Sequence, residues 1–287
     1  MSSEFKIIGP HSLQLDLNNN EYFDLIDIEN QTYYESSIYD ITNAGYDGAT
    51  VNSISTNPRS LVFTLVIKKD KDVEDAKRYL FRIIKPKLHH KVVWNRNDRV
   101  VQIDGVLEQA TMPRWNNNVT VQLTFFCENC YWEDIDDVIQ QITSVFAMHY
   151  FTTSINDMLV FDNDGPGIVM GEYDLSRTRT YENNGDVAVG LVITIHALST
   201  LTNPVIYAAD DTFIGVNITM QAGDSITINT ERGQKDITQD GVSIINKIMV
   251  GSKWLQLNTG YNTFTIDSDD DAVDNCYFQL SYKHKYV

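Results

Sequence analysis

Apolar and polar residues alternate over short spans along most of this chain, and turn residues interrupt the spans. A period of two is what a strand needs to present one face to a core. SLQLDL (12–17) and EYFDLIDI (21–28) have it on either side of NNN, a turn of the kind asparagine favours. GYDGATVNSIS (45–55) follows, punctuated by Gly45 and Gly48. RSLVFTLVIKK (59–69) places Leu61, Phe63, Leu65 and Ile67 on one face. VVWNRNDRVVQIDGVLEQA (92–110) predicts a hairpin turning at NRND. VTVQLTFFC (119–127) predicts a strand with Val119, Val121, Leu123, Phe125 and Cys127 inward.

Two segments change to a helical period. In DVEDAKRYLFRII, Asp72 can cap the start, while Val73, Lys77, Leu80, Phe81 and Ile84 fall near helical spacing. Pro86 then ends the helix. EDIDDVIQQITSVF (133–146) predicts a second helix, with Ile135, Val138, Ile139, Ile142, Val145 and Phe146 as its stripe. Its acidic first turn suits the helix dipole. From about residue 150 short strands return, separated by turns such as FDNDGPG (161–167). They include DVAVGLVITIHAL (186–198), PVIYAA (204–209), FIGVNITM (213–220) and DSITINT (224–230). KWLQL (253–257), NTFTID (262–267) and CYFQLSYKHKYV (276–287) complete the set, and the spacing predicts a sandwich or jelly roll.

A length of 287 residues suits two domains of about 140 residues each. The boundary expected from the pattern is the end of the second helix, giving domains 1–148 and 149–287. Hydrophobic content of 43% allows full cores and excludes a disordered chain. The start, MSSEFKIIGPHSLQL, lacks a basic and apolar leader, so no secretory signal is expected. The longest apolar run, VAVGLVITIHAL (187–198), is too short for a membrane span, so no membrane partner is expected. Three cysteines are too few for a disulfide framework and fit a reducing compartment.

Net charge is −17 and is spread along the chain. Residues 1–140 hold 14 Lys and Arg against 21 Asp and Glu, a balance of −7. Nucleic-acid binders need a surplus of basic groups for the phosphates, so this sign excludes a conventional one.

Three places carry a family resemblance. The first is YDGATVNSISTNPRSLVFTLVI followed by AKRYLFRII. The second is the junction VQLTFFCENCYWED, an apolar strand running into a cysteine and an aromatic pair. The third is the set NNGDVAVGLVITI, MQAGDSITINTERGQK and KWLQLNTGYNTFTI. In order and spacing these resemble the siphophage distal tail proteins. One departure is Cys130, where members of that family often have proline.

The resemblance implies a mainly β fold: an N-terminal β-barrel-like domain with one or two helices, and a C-terminal galectin-like β-sandwich. It implies a structural virion protein of the tail tip, assembled in the bacterial host cytoplasm. The N-terminal domain would form a homohexameric ring joining the tail tube protein to the tail-tip fibre protein. DNA would pass through that ring without being bound. The alternative is an accessory protein that grips a host-surface glycan.

The chemistry legible in the residues is sparse. Cys127 and Cys130 form a C-x-x-C pair, which can be half a zinc site, a redox dithiol or two packed thiols. Zinc needs two more ligands, and the nearest candidates, His89 and His90, are adjacent and point to opposite faces of a strand. A redox role wants a helix N-terminus, which the helix expected at 133 could supply. The face pattern favours packing, with Cys127 as the last inward residue of its strand. In DSDDDAVDN (267–275), Asp267, Asp269 and Asp271 fit a calcium loop, but Ala272 and Phe278 occupy its glycine and final glutamate positions. A solvated hairpin tip is the expectation, and Asp162 and Asp164 are read as turn formers. Trp254 is the candidate for stacking a sugar, although KWLQL reads as a strand that could bury it. There is no catalytic motif, so no enzyme activity, metal or cofactor is expected.

Overall fold

The computed structural model describes residues 3–32, 35–42, 45, 47–96, 99–112, 119–141, 145–146, 172–173, 177–269 and 276–287. The turn FDNDGPG with Asp162 and Asp164, and the loop tip containing Asp271 and Ala272, lie outside the described residues. What is described is mainly β, with one α-helix. The chain forms two compact units, Met1–Asp136 with Lys285–Val287, and Asp137–His284.

The first unit is built on one large antiparallel sheet. Its main path runs Gln14–Asp16, Ser3–Ile8, His89–Arg96, Arg99–Thr111, Thr120–Cys127, Arg59–Ile67, Phe23–Glu29. The expected hairpin is present, with Arg96 opposite Arg99 where the two strands meet. The strands flanking NNN do not pair with each other; they are the two edges of the path. Only Leu17–Tyr22 separates them, and six residues span at most about 20 Å, so the sheet must curl until its edges come near. Asn20 holds that connection, its Oδ1 accepting from the amides of Tyr22 and Phe23 and its Nδ2 donating to the Asp16 carbonyl. The sheet is therefore barrel-like in its curl, but no ladder among the described residues closes a barrel.

Alternation dictates the core. Leu61, Phe63, Leu65 and Ile67 are buried, as are Val121, Leu123, Phe125 and Cys127 on the neighbouring strand. The helix Val73–Ile83 packs on this core through Ala76, Leu80 and Ile83. Asp72 caps it, its Oδ1 accepting from the amides of Glu74 at 2.8 Å and Asp75 at 3.0 Å. Phe81, expected on the buried stripe, is exposed instead, because the face turned inward is one residue out of phase with the expected one.

The helix expected at 133–146 does not form. Trp132–Asp134 is a strand between Arg99–Thr111 and Lys285–Tyr286, and Val138–Gln141 pairs with Cys276–Tyr282. Ile135 and Ile139, members of the expected stripe, are exposed. The reason is tertiary: free strand edges were available on both units, and isoleucine and valine satisfy a ladder as readily as a helix. With no helix there, the division between the units falls after Asp136 rather than at 148, and the chain's last three residues return to the first unit.

The second unit is a sandwich of two antiparallel sheets. One runs Val138–Gln141, Cys276–Tyr282, Val192–Ala197, Ser225–Asn229, Asp236–Gln239, Val242–Ser243. The other runs Thr178–Asn183, Gly260–Asp267, Val205–Ala208, Phe213–Gly215. Ile193, Ile195, Ile228 and Leu280 from the first sheet share one core with Tyr181, Ile206, Phe264 and Ile266 from the second. Asn183 is buried at the rim of this core. Its amide donates to the carbonyls of Val187 and Leu257, and its Oδ1 contacts His284 Nδ1 at 3.0 Å.

Candidate functional site

Both members of the cysteine pair are packed in the interior of the first unit. Cys127 is fully buried at the end of its strand, and burial pushes its thiol pKa up to about 12, against the pull of nearby Arg59. A thiol so held is protonated and unreactive. Cys130 is also buried, and neither is in a disulfide. Gly105, on the adjacent strand, makes room for the sulfur: a Cβ there would lie 2.9 Å from Cys127 Sγ. Among the described residues no group of His, Cys, Asp and Glu could hold a metal. His90 is buried with its Nε2 accepting from the Lys85 amide and its ring edge-on to Phe125. Asp269, from the acidic loop, is held by Asn203 Nδ2 at 2.7 Å.

Among the described residues, two features are candidates for contact with partners. The first is a two-stranded ribbon, Ser36–Ile41 with Thr50–Thr56, which pairs with no other strand among the described residues. Ile38 and Ile54 sit opposite each other and are 61% and 64% exposed. Tyr39, Ile41 and Val51 are also more than half exposed. A lone two-stranded ribbon is marginal in water, and bare aliphatic surface of this kind makes it a candidate interaction site. Its base is firmly rooted. The Asn57 amide donates to the Glu35 carbonyl at 2.8 Å, and Ser37 Oγ donates to Asn57 Oδ1 at 2.7 Å. Just before the ribbon, the Gln31 carbonyl accepts from buried Arg59 Nη1 at 2.7 Å and from Trp132 Nε1 at 2.8 Å. The Arg59 guanidinium lies over the Trp132 ring, and its burial lowers its pKa.

The second feature is a cleft of about 490 Å³ in the second unit. Along Gly260–Asp267, Phe264 and Ile266 face the core, so Tyr261, Thr263 and Thr265 face outward. Thr263 and Thr265 meet Thr180 and Thr178 across the strands at 3.0 and 2.9 Å. At the Tyr261 end the cleft opens between this strand, the turn carrying Asp210 and Thr212, and the segment carrying Lys253, Trp254 and Asn258. Trp254 is not in a strand; the regular pairing in KWLQL is confined to Gln256–Leu257. The indole is half-buried against the core, with the Lys235 ammonium 5.8 Å from its ring centroid. Tyr261 is 77% exposed. Asp210 Oδ1 accepts from Thr212 Oγ1 at 2.6 Å and from its amide at 3.2 Å, and these bonds hold its carboxyl below the usual range.

The residue pattern singles out Trp254, but neither Tyr261 nor the ribbon's apolar pair Ile38 and Ile54. Tyr261 follows Gly260, whose φ of +84° lets the chain turn into the strand. An aromatic placed directly after such a glycine was the available signal.

Residues 16–127 match the phage tail protein RIFT-related domain, and residues 184–286 match the siphovirus-type tail component, C-terminal domain. The chain belongs to the siphophage distal tail protein family. As a distal tail protein it is a structural component of the phage tail, in a family of structural rather than catalytic proteins. The crystal structure of SPP1 Dit protein, described as a paradigm of hub adsorption apparatus in Gram-positive infecting phages, shares its fold. The TM-score is 0.67 over all of both chains, at 14% identity. The baseplate of phage P2 in its activated conformation with Ca matches at a TM-score of 0.46 and 13% identity, over 98% of each chain. No curated protein matches the chain by sequence.

Proposed function

We propose that this distal tail protein assembles as a closed hexameric ring at the tail tip, through its first unit, and joins the tail tube to the fibre apparatus. The second unit is a galectin-like sandwich. The observation that carries this reading is the ribbon of residues 36–56. Its root is pinned by Arg59 and Trp132 at Gln31, while its apolar residues have no cover among the described residues. A pinned arm with a bare face is suited to a heterologous contact, in which one copy's arm lies on a different surface of the next copy and the rotation closes a ring. The first unit's sheet also ends in two edge strands, Gln14–Asp16 and Phe23–Glu29, that a neighbour can extend or cover.

The charge of the ring follows from the sequence. Residues 1–140 balance at −7 per copy, with 14 basic against 21 acidic groups. A ring of this net sign repels duplex DNA over a Debye length of about 8–10 Å at physiological salt, which lets a genome pass without sticking.

Native mass spectrometry and negative-stain imaging of the full chain test the reading, with six copies in a ring as the expected result. A purified protein that stays monomeric well above micromolar concentration overturns the self-assembling ring. Retention of random duplex DNA at micromolar affinity in about 50 mM salt, seen by gel shift, overturns the repulsive channel.

A further inference from the structure

We infer that the basic end of the helix Val73–Ile83, with the turn that follows it, docks on the acidic edge strand Phe23–Glu29 of a second copy of this chain. The inference rests on the ring reading and names a charged contact that orients its subunits.

The first observation is a local reversal of charge. Residues 77–91 hold six Lys and Arg and no Asp or Glu, whereas the rest of the chain holds 16 against 39, a balance of −23. Lys77 and Arg78 are engaged by Glu74 and Asp75 of the same helix, at 2.7 and 3.7 Å. Asp104 stands opposite Lys91 across the ladder and offsets its charge. Arg82, Lys85 and Lys87 are exposed and form no ion pair among the described residues. Phe81 and Leu88 stand beside them, 41% and 46% exposed. Bare apolar side chains within a cationic surface suit a protein partner that carries carboxylates, since a phosphate backbone has nothing to cover them.

The second observation is the backbone that presents these cations. The helix dipole accounts for Arg82, in the last turn, but its effect fades before Lys85 and Lys87. Lys87 has a φ of +66°, in the left-handed region that glycine enters most easily, yet the position carries a long cation. The turn is braced from both sides. The Lys85 amide donates to buried His90 Nε2 at 3.0 Å. Gly9 lies so close to the Ile83 carbonyl that a Cβ there would clash with it. A backbone fixed in advance lowers the ordering cost of a contact.

The third observation is a counterpart of opposite sign. Residues 21–29 hold four Asp and Glu and no Lys or Arg. Glu21 and Asp24 are engaged by Lys71 and Lys68 at 3.0 and 3.5 Å. Asp27 and Glu29 are exposed and, like the three cations, form no ion pair among the described residues. Their strand is an edge of the first sheet, and its register shifts between Leu25 and Asp27, where Ile26 is 61% exposed. Each surface thus offers unpaired charge with apolar residues next to it.

The signs select the geometry. Copies that each carry −17 repel one another unless opposite charges meet where they touch. A two-fold contact through the basic end would set cations against cations. Basic end on acidic edge is a heterologous contact, the kind that closes a ring, and the like-charge clash rejects the wrong docking. The ribbon supplies apolar area, and this pair supplies orientation.

A charge swap in the full-length protein tests the contact. One variant carries Arg82→Glu, Lys85→Glu and Lys87→Glu; the other carries Asp27→Lys and Glu29→Lys. In native mass spectra at about 50 mM salt, each alone should need about tenfold more protein than the parent to assemble, with its melting curve unchanged. Mixed in equal amounts, with one of them mass-tagged, they should form rings with the two variants alternating, because every interface then joins opposite charges. Added salt should weaken the parent ring. The inference is overturned if either variant assembles like the parent, or if the mixture stays apart. It is equally overturned if the parent retains duplex DNA that the Arg82/Lys85/Lys87 variant releases, which would assign the basic end to nucleic acid. A parent that forms no ring defeats the ring reading and this contact with it, whereas a parent ring indifferent to both variants defeats this contact alone.

Discussion

The strands Thr50–Thr56 and Arg59–Ile67 are neighbours in sequence, two residues apart, and have opposite fates. In the second, every other residue is buried, and Phe63 and Leu65 are sealed between the flanking strands Phe23–Glu29 and Thr120–Cys127. In the first, Val51 and Ile54 stand in solvent, because the ribbon's one partner strand is as thin as itself. Both segments carry β-branched residues and read as strands. Alternation states that a face needs cover; it does not state whether the cover lies in the same chain. A strand in the middle of a sheet finds its cover at home, whereas a rooted ribbon carries its demand outward.

The contrast can be broken by mutation, and the largest effect should come from the ribbon. Replacing Ile38 and Ile54 together with Asp should abolish the ring, with only monomer in native mass spectra. The monomer's stability in urea should change by no more than about 0.5 kcal/mol, since both residues are exposed there. A double variant that still assembles would move the contact elsewhere. Next comes the buried strand, with the reverse signature. Phe63→Ala should cost about 3–5 kcal/mol of first-unit stability, read from the same titration, by leaving a cavity between packed strands.

Smaller effects sharpen the picture of the core beneath the ribbon. Cys127→Ala should cost about 1–3 kcal/mol, while Cys130→Ala, nearer the surface, should cost less. Added zinc or a chelator should shift neither melting curve, and stoichiometric zinc lost together with the fold would reverse the packing assignment.

The smallest effect should be a pH slope. Burial lowers the His90 pKa below its ordinary 6.5, with the neighbouring His89 adding to it. The folded protein therefore refuses a proton that the unfolded chain takes. Stability should fall as pH drops through 6.5 and stop falling below the depressed folded value. His90→Gln keeps an acceptor for the Lys85 amide and should flatten that slope relative to the parent. An identical slope in the variant would assign the acid sensitivity to other groups.

Much of the mainly β fold was legible because local rules and tertiary packing agreed. The Asp72 cap and the inward residues Leu61, Phe63, Leu123 and Phe125 follow from spacing alone. So does Cys127 as a packed thiol, since it shares their face. The segment after Trp132 was not legible. Its isoleucines and valine fit a helical stripe by spacing, but the ladders offered by Arg99–Thr111 and Cys276–Tyr282 outweighed that local preference. The candidate cleft was half legible. Trp254 stood out by type, whereas Tyr261 became its neighbour only once the segment 253–258 folded against the strand at 260.

The sequence by itself determined which faces must be hidden, where the helix of the first unit starts, and the sign of the protein's field. These depend on residue type, on spacings of two to four positions and on summed charge, all of which are local or additive. The tertiary structure alone decided which strands became the edges of the first sheet, and where the last three residues returned. It also decided that one apolar ribbon would be left uncovered. Those outcomes depend on pairings between distant segments, and a pairing is a competition among edges that no single segment can settle.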